Sequence, residues 1–186
     1  CCGVPAAVEN DTVKVGLRYG SSAMFSANLE NAVGSGYAFG YYDAGRNFVE
    51  VGETGRTAVS VTAAGTIYLG SSGYYETDQG RGSIGKWRAE AGETYGSYEE
   101  AAAAAESYPG SHVAYLSDTY RLRLGCYETE DAAILALSSA GLDGRAVEAS
   151  RTGVVVTVTK TDTVLFEFDC QGSRSFAILP DGQGQT

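Results

Sequence analysis

Two short helical patterns inside an otherwise β-rich sequence constrain the fold of this chain most strongly. Residues 97–107 read SYEEAAAAAES, in which Ser97 begins an S-x-x-E capping box and the alanine run has the highest helix propensity. The second pattern covers Glu130 to Ala140, with Thr129 as a candidate N-cap and Gly141 as the residue that ends the helix. Because the other patterned segments alternate as strands do, we predict an α+β chain.

Strands precede and follow both helices in a regular order. Each half of this region is a strand that ends in glycine, then an aromatic residue, acids and an alanine-rich helix, then a second strand. The order βαββαβ predicts a ferredoxin-like unit with a sheet on one side and both helices on the other. The predicted strands are Trp87 to Gly92, His112 to Ser117, Tyr120 to Tyr127 and Ala146 to Ser150.

The sequences on either side of this unit are predicted to be mainly antiparallel β segments. Val13, Val15 and Leu17 have the alternation of a half-buried strand, and residues 163–169 and 175–179 are predicted to form a hairpin. The predicted organisation is a flexible tail or signal-peptide remnant (1–11), a β-rich domain (12–70), a glycine- and serine-rich linker (71–85), the central module (86–150) and a β segment that leads into a further domain (151–186).

The formal net charge of −10 narrows the choice of partner. It argues against nucleic acid, whose phosphates are neutralised by Lys and Arg, and against anionic lipid. An RNA-recognition module shares the βαββαβ order, but Arg121 and Arg123 have no aromatic residue between them for a base to stack on. No apolar run approaches the roughly 18–20 residues that span a bilayer. A neutral polysaccharide or another protein is the easier partner.

Histidine and cysteine usage limits the kinds of catalytic or metal site. His112 is the single histidine, which argues against a His-based triad or a multi-His metal site. The four cysteines are Cys1, Cys2, Cys126 and Cys170, and no pair has C-x-x-C spacing. We therefore expect no cofactor and no metal. Cys126 and Cys170 could form a disulfide or remain free thiols, and Cys1 could belong to a signal peptide, a lipidated terminus or a disordered tail.

The central module resembles the SPOR domain, the sporulation-related repeat. The Tyr-Arg-x-x-x-Gly element of the third strand matches that family well, whereas Glu90 replaces its usual Gln and Cys126 stands where a small residue or Pro is usual. The resemblance implies the ferredoxin-like fold given above. The segments that carry it are Trp87 to Gly92, Ser97 to Ala101, Tyr120 to Tyr127 and Thr129 to Ala133.

The flanks are similar to the region that leads into a SpoIID/LytB domain, through Val13 to Gly20, Ser26 to Glu30 and Gly153 to Gly184. This similarity implies a secreted or cell-envelope protein, lipid-anchored in one alternative, that acts in cell-wall remodelling or sporulation beside cell-wall hydrolases. The catalytic part of such a protein is expected after Thr186, so we assign no catalytic residue.

A SPOR domain is expected to bind glycan strands of peptidoglycan that have lost their stem peptides, on the open face of its sheet. Alternation directs Leu122 and Leu124 towards the helices and the neighbouring arginines outward. The predicted glycan-binding residues, which hydrogen-bond to or stack on sugars, are Arg88, Glu90, Tyr95, Arg121, Arg123 and Tyr127. The alternative for the arginines is cross-strand pairing with Glu90, and for the tyrosines it is packing over the core.

Two other functions stay open. A glycosidase needs two carboxylates at a defined separation, and a chain with 23 acidic residues brings some pair together by chance. A structural or interaction scaffold of a SpoIID/LytB-type lytic transglycosylase or amidase enhancer is the second. Such a scaffold would use unpaired strand edges to hold a further domain.

Overall fold

The computed structural model describes residues 25–181. The first half of this range contains β1 (Ser26–Glu30), β2 (Tyr37–Tyr42), β3 (Phe48–Thr54), β4 (Ala58–Ala63), β5 (Ile67–Leu69), β6 (Tyr74–Tyr75) and β7 (Ser83–Ile84). The second half contains β8 (Trp87–Tyr95), α1 (Tyr98–Ala105), β9 (His112–Leu116), β10 (Thr119–Tyr127), α2 (Glu130–Ala140), β11 (Gly144–Glu148), β12 (Val154–Val158), β13 (Val164–Asp169) and β14 (Ala177–Pro180). The protein is α+β and mainly β, as predicted.

An eight-stranded mixed sheet runs through the described part of the chain in the order β1-β4-β12-β13-β9-β10-β8-β11. Its neighbours are antiparallel except β13 and β9, which are parallel. Two smaller antiparallel sheets have the orders β14-β2-β3 and β6-β5-β7. The strands of the βαββαβ region therefore lie in one continuous sheet with strands from both flanks.

Both predicted helices are confirmed, with the predicted caps. The backbone N–H of Glu100 donates to Ser97 Oγ at 3.3 Å at the start of α1. At the start of α2, the N–H of Ala132 donates to Thr129 Oγ1 at 3.3 Å. Gly141 ends α2 at φ +68°, a left-handed conformation that glycine adopts without steric cost.

One side of the large sheet, here called the helix face, packs against α1, α2 and the β14-β2-β3 sheet. Leu122 is buried on this face as predicted, and Phe166 stacks on Phe39 of the small sheet with ring centroids 5.1 Å apart. Ala89 packs against Ala133 and Leu137 of α2. Continuous apolar burial of this kind supplies the main stabilisation of a domain.

The opposite side of the large sheet, here called the polar face, is partly covered by the β6-β5-β7 sheet. Tyr74 is buried there, and its hydroxyl lies 2.7 Å from Thr157 Oγ1 and donates to the carbonyl of Thr161 at 2.7 Å. Ile67 and Ile84 pack with Val155 of the large sheet. Residues 71–85, predicted as a linker, instead supply β6, β7 and buried side chains, because their spaced apolar residues close over this face.

The predicted hairpin of residues 163–169 and 175–179 is wrong. β13 pairs with β12 and β9 in the large sheet, whereas β14 pairs with β2 in a small one. The chain crosses between the sheets after Cys170, and Phe176 packs on Phe168 with ring centroids 5.4 Å apart. The aromatic residues thus fill the space between two layers. The predicted strand at Val13 to Leu17 and the N-terminal tail lie outside the described residues.

Within residues 25–181, neither helix has the length and apolar character required to cross a membrane.

Candidate functional site

The polar face contains a buried group of ion pairs, here called the ion-pair cluster, formed by Arg88, Glu90, Arg123 and Glu167. Their exposed fractions are 0%, 2%, 6% and 3%, so all four charged side chains are almost entirely buried. Arg88 Nε lies 2.5 Å from Glu167 Oε1. Arg123 donates from Nη2 to Glu90 Oε2 at 2.9 Å and from Nη1 to Glu167 Oε2. Each buried charge has an opposite partner, which such burial requires.

Strand register brings these residues together. Arg123 on β10 pairs directly with Glu90 on β8 and with His112 on β9. Glu167 lies on β13, which is the neighbour of β9 on its other side, opposite Ala114. Side chains two residues apart on a strand share one face, so four adjacent strands direct these groups to the polar face.

Burial and charge set the protonation states in the cluster. Burial alone would raise the pKa of Glu167, but the charges of Arg88 and Arg123 hold it well below its usual range. Burial lowers the pKa of His112, although its Nε2 lies 3.0 Å from Glu167 Oε1. Burial and the Glu167 charge raise the pKa of the Cys126 thiol to about 12. Glu167 is therefore ionised at neutral pH, whereas His112 and Cys126 are uncharged.

A cavity of about 240 Å³, here called the polar cavity, opens beside the ion-pair cluster. Arg121 and Arg145 lie at its mouth, with side chains 25% and 70% exposed. Arg145 Nη2 donates to Glu90 Oε1 at 3.1 Å, and Arg121 Nε lies 3.8 Å from the same oxygen. The lining also includes Glu90, Arg123, Glu148, Glu167, Asp169 and Gln171. The buried carboxylate thus holds two accessible guanidinium groups at one opening.

The predicted binding residues on the polar face differ in exposure: one arginine is partly accessible, and the other two arginines and Glu90 are buried. Arg121 lines the polar cavity with part of its side chain accessible, as expected of a binding residue. Arg123 and Glu90 also line it but are buried, and Arg88 is buried outside it. The expectation that these three groups face solvent is wrong, because Glu167 from β13 pairs with both arginines. Their common face was predicted correctly.

The two predicted tyrosines do not lie at the polar cavity. Tyr95 packs at the margin of the core cluster that contains Phe166, and its hydroxyl donates to Glu93 Oε2 at 3.3 Å. Tyr127 packs against the cluster formed by Ala89 and α2. Both side chains thus contribute to packing on the helix side, which is the alternative given for them above.

Three important residues of this region were missed by sequence reasoning. Glu167 and His112 are polar residues of β13 and β9. The alternation of these strands directs their side chains to the polar face, where both are buried. The sequence signal for Glu167 was a lone charge between Phe166 and Phe168 in an apolar strand. Arg145 lies one residue before the strand that was predicted to begin at Ala146, so its side chain was not considered.

The described cysteines are both free thiols, which decides between the two alternatives for Cys126 and Cys170. Cys126 Sγ lies 3.6 Å from Glu167 Oε1. One ring nitrogen of His112, this sulfur and a carboxylate oxygen of Glu167 lie within 4.8 Å of one another, so among residues 25–181 these three could hold a metal ion.

No protein-family model, curated protein or solved structure matches this chain.

Proposed function

We propose that the chain is a non-catalytic, extracytoplasmic module that binds the glycan strands of peptidoglycan, in particular strands that have lost their stem peptides. Residues 86–150 would be a ferredoxin-like, SPOR-type module flanked by mainly antiparallel β segments. The antiparallel strand order β9-β10-β8-β11, with α1 and α2 on one side, supports this proposal because it is the order that two βαβ halves produce.

The observation that carries the proposal is the pair of arginines at the polar cavity. Arg121 and Arg145 present guanidinium donors, and Glu148 and Asp169 present carboxylate acceptors in the same lining. Sugar hydroxyl groups donate and accept hydrogen bonds, and acetamido oxygens accept them, so a glycan suits this mixed lining. Arg145 donates to Glu90 Oε1, and Arg121 lies 3.8 Å from the same oxygen, so both guanidinium groups are directed to this opening before a ligand binds.

The mixed charge of the lining disfavours a phosphate-rich ligand. Arg121, Arg123 and Arg145 are matched by acidic neighbours, among which Glu90 and Glu167 are in direct ion pairs with them. A phosphate-rich ligand would meet carboxylates at the same opening, which costs binding energy. A polyhydroxylated ligand with a lower density of negative charge meets less of this repulsion, also from the protein's net charge of −10.

The carboxylates of the cavity support binding without catalysis. A glycoside hydrolase needs one carboxyl group that keeps its proton at working pH. The pKa of Glu167 would be raised by burial, but Arg88 and Arg123 hold it well below its usual range. Glu90 is buried with contacts to three arginines, Arg121, Arg123 and Arg145. Glu167 is therefore better suited to hold cations than to donate a proton, and Glu90 is held in ion pairs.

Co-sedimentation with two cell-wall preparations tests this function. One preparation is intact sacculi, and the other is sacculi from which an amidase has removed the stem peptides. We expect selective loss of the chain from solution with the stripped strands, and loss of this binding in the double variant Arg121→Ala with Arg145→Ala. The matched control replaces Arg56 and Arg81, two exposed arginines, and should bind as the unmodified chain does.

A scaffold for a further domain is the second candidate. Within residues 25–181, β1 and β11 form the two ends of the large sheet, so each has one edge without a partner strand. Such edges pair readily with another chain segment. Failure of the chain to bind either preparation, with its fold intact by circular dichroism, would remove the glycan-binding function and leave this scaffold role.

A further inference from the structure

The polar face also contains a group of mixed nitrogen, sulfur and oxygen donors. A ring nitrogen of His112, Sγ of Cys126 and a carboxylate oxygen of Glu167 lie within 4.8 Å of one another. They belong to three strands, β9, β10 and β13, so the sheet fixes their spacing. Imidazole and thiolate are the donors that copper and zinc prefer, whereas magnesium and calcium prefer oxygen alone.

A second observation points to a ligand at this position. Nδ1 of His112 is buried without a hydrogen-bond partner among the described residues, and the residue as a whole is 3% exposed. A buried polar atom without a partner is costly and rare in folded proteins. Nε2 lies 3.0 Å from Glu167 Oε1, so Nδ1 is the ring nitrogen that is left without a partner.

A second cavity borders two of these three residues. A cavity of about 490 Å³, separate from the polar cavity, is lined by His112 and Cys126 together with Ser111, Gly125, Asp162 and Thr163. This cavity gives an ion an approach to Cys126 that does not pass through the ion-pair cluster.

The charges around the donors favour a monovalent metal ion over a divalent one. The arginines Arg88 and Arg123 balance the carboxylates Glu90 and Glu167 in the buried cluster. A monovalent ion that replaces the proton of the Cys126 thiol leaves this balance unchanged. A divalent ion in the same place adds one positive charge beside two buried guanidinium groups, which is strongly unfavourable in a medium of low dielectric constant.

We propose that His112 and Cys126 form a binding site for a soft monovalent metal ion, with Cu(I) as the best fit, and that Glu167 orients the imidazole. On binding, the Cys126 S–H bond breaks, the proton leaves to solvent and a metal–sulfur bond forms without change of oxidation state. A ring nitrogen of His112 completes the coordination. The carboxylate holds the other side of the ring, as second-shell carboxylates do at histidine metal sites.

Competition for Cu(I) against a chelator tests the site. The other thiols are removed by Cys1→Ser, Cys2→Ser and Cys170→Ser in the full chain, which leaves Cys126 as the only thiol. We expect this variant to take Cu(I) from bicinchoninate under anaerobic, reducing conditions. The matched control keeps Cys170 and carries Cys126→Ser, so it has the same number of thiols. Its affinity for Cu(I) should be lower by about 100-fold or more, since a direct ligand is lost.

Nitrogen NMR of the imidazole ring tests the site in a protein that keeps both His112 and Cys126. Because His112 is the only histidine, its two ring nitrogens supply the only imidazole signals of the chain. Cu(I), or Ag(I) as a redox-inert substitute, should shift one of them strongly. Equal Cu(I) affinity in the two single-thiol chains, an unchanged imidazole spectrum, or tighter binding of Zn(II) than of Cu(I) would each overturn the proposal.

Discussion

Arg88 and Glu167 meet in the protein interior with Nε 2.5 Å from Oε1, although β9 and β10 separate their strands in the sheet. Arg88 belongs to the βαββαβ region and Glu167 to the C-terminal flank. Arg123 adds a second contact to the same carboxylate. The C-terminal flank is therefore joined to the central strands by buried ion pairs as well as by backbone pairing, so we expect the two regions to unfold together.

Replacing Glu167 tests the contribution of the ion-pair cluster. Glu167→Gln removes the charge that balances Arg88 and Arg123, and we expect it to lower the free energy of unfolding by about 3–5 kcal/mol, as breaking a buried ion pair does. Urea denaturation followed by circular dichroism measures this. Glu148→Gln is the control, because Glu148 is half exposed and its ion pair with Lys86 should contribute about 1 kcal/mol or less. Equal effects of the two substitutions would contradict the stabilising role of the cluster.

Tyr74 tests whether residues 71–85 are part of the folded core. Tyr74→Phe removes a hydroxyl that contacts Thr157 Oγ1 and the Thr161 carbonyl, and it leaves a buried threonine oxygen with one partner fewer. We expect a loss of about 1–3 kcal/mol in the free energy of unfolding. Tyr75→Phe removes only an exposed contact to Ser72, and it should change stability by less than about 0.5 kcal/mol. If Tyr74→Phe were equally harmless, the segment would behave as a loose linker.

Acid should destabilise the metal-free protein in two steps. Burial lowers the pKa of His112 from 6.5, so the unfolded chain takes up a proton first as pH falls below about 6.5 and stability declines. For Glu167, burial is outweighed by Arg88 and Arg123, which hold its pKa well below 4.5, so the carboxylate contributes stability above about 4.5 that is lost as pH falls further. Cys126, the other titratable group that contacts Glu167, has its pKa raised by burial and stays protonated in this range.

The histidine step can be isolated because the chain has one histidine. His112→Gln keeps a neutral polar side chain and should abolish the decline in the free energy of unfolding between about pH 6.5 and pH 5, with a slope of at most about 1.4 kcal/mol per pH unit in the unmodified chain. Urea denaturation at closely spaced pH values measures both. A free energy of unfolding that rises on acidification through this range would contradict the buried, neutral state of His112.

Local sequence signals predicted the helices and the face of the strand on which each side chain lies. Contacts between segments that are distant in sequence determine which side chains form the site, and local signals do not reveal them. Ser97, Thr129 and Gly141 act through neighbours within one helical turn, so their effect can be read from the sequence. The common face of Arg123 and Glu90 follows from alternation together with the repeat between the two halves of the βαββαβ region. Their burial does not, because it depends on Glu167, which arrives through the parallel pairing of β13 with β9.

The linker prediction for residues 71–85 and the prediction of a C-terminal hairpin were wrong for a related reason. Tyr74 and Ile84 stand ten residues apart in a segment rich in Gly and Ser, and such spacing gives no periodic signal. They are buried only because the polar face offers Val155 and Thr157 as partners. The C-terminal hairpin failed in the same way. The alternation of residues within a strand does not say which sheet the strand joins, because this depends on where its aromatic residues pack between the two sheets.

Isothermal titration calorimetry with soluble glycan strands freed of their stem peptides tests the proposed function most directly. The account predicts saturable binding that weakens at least about tenfold when Arg121 and Arg145 are both replaced by Ala, since hydrogen bonds from charged donors are lost. The control variant with Arg56→Ala and Arg81→Ala should titrate as the unmodified chain does. Absence of binding by a folded chain, or binding that is unaffected by loss of Arg121 and Arg145, would contradict the assignment of the polar cavity as a glycan site.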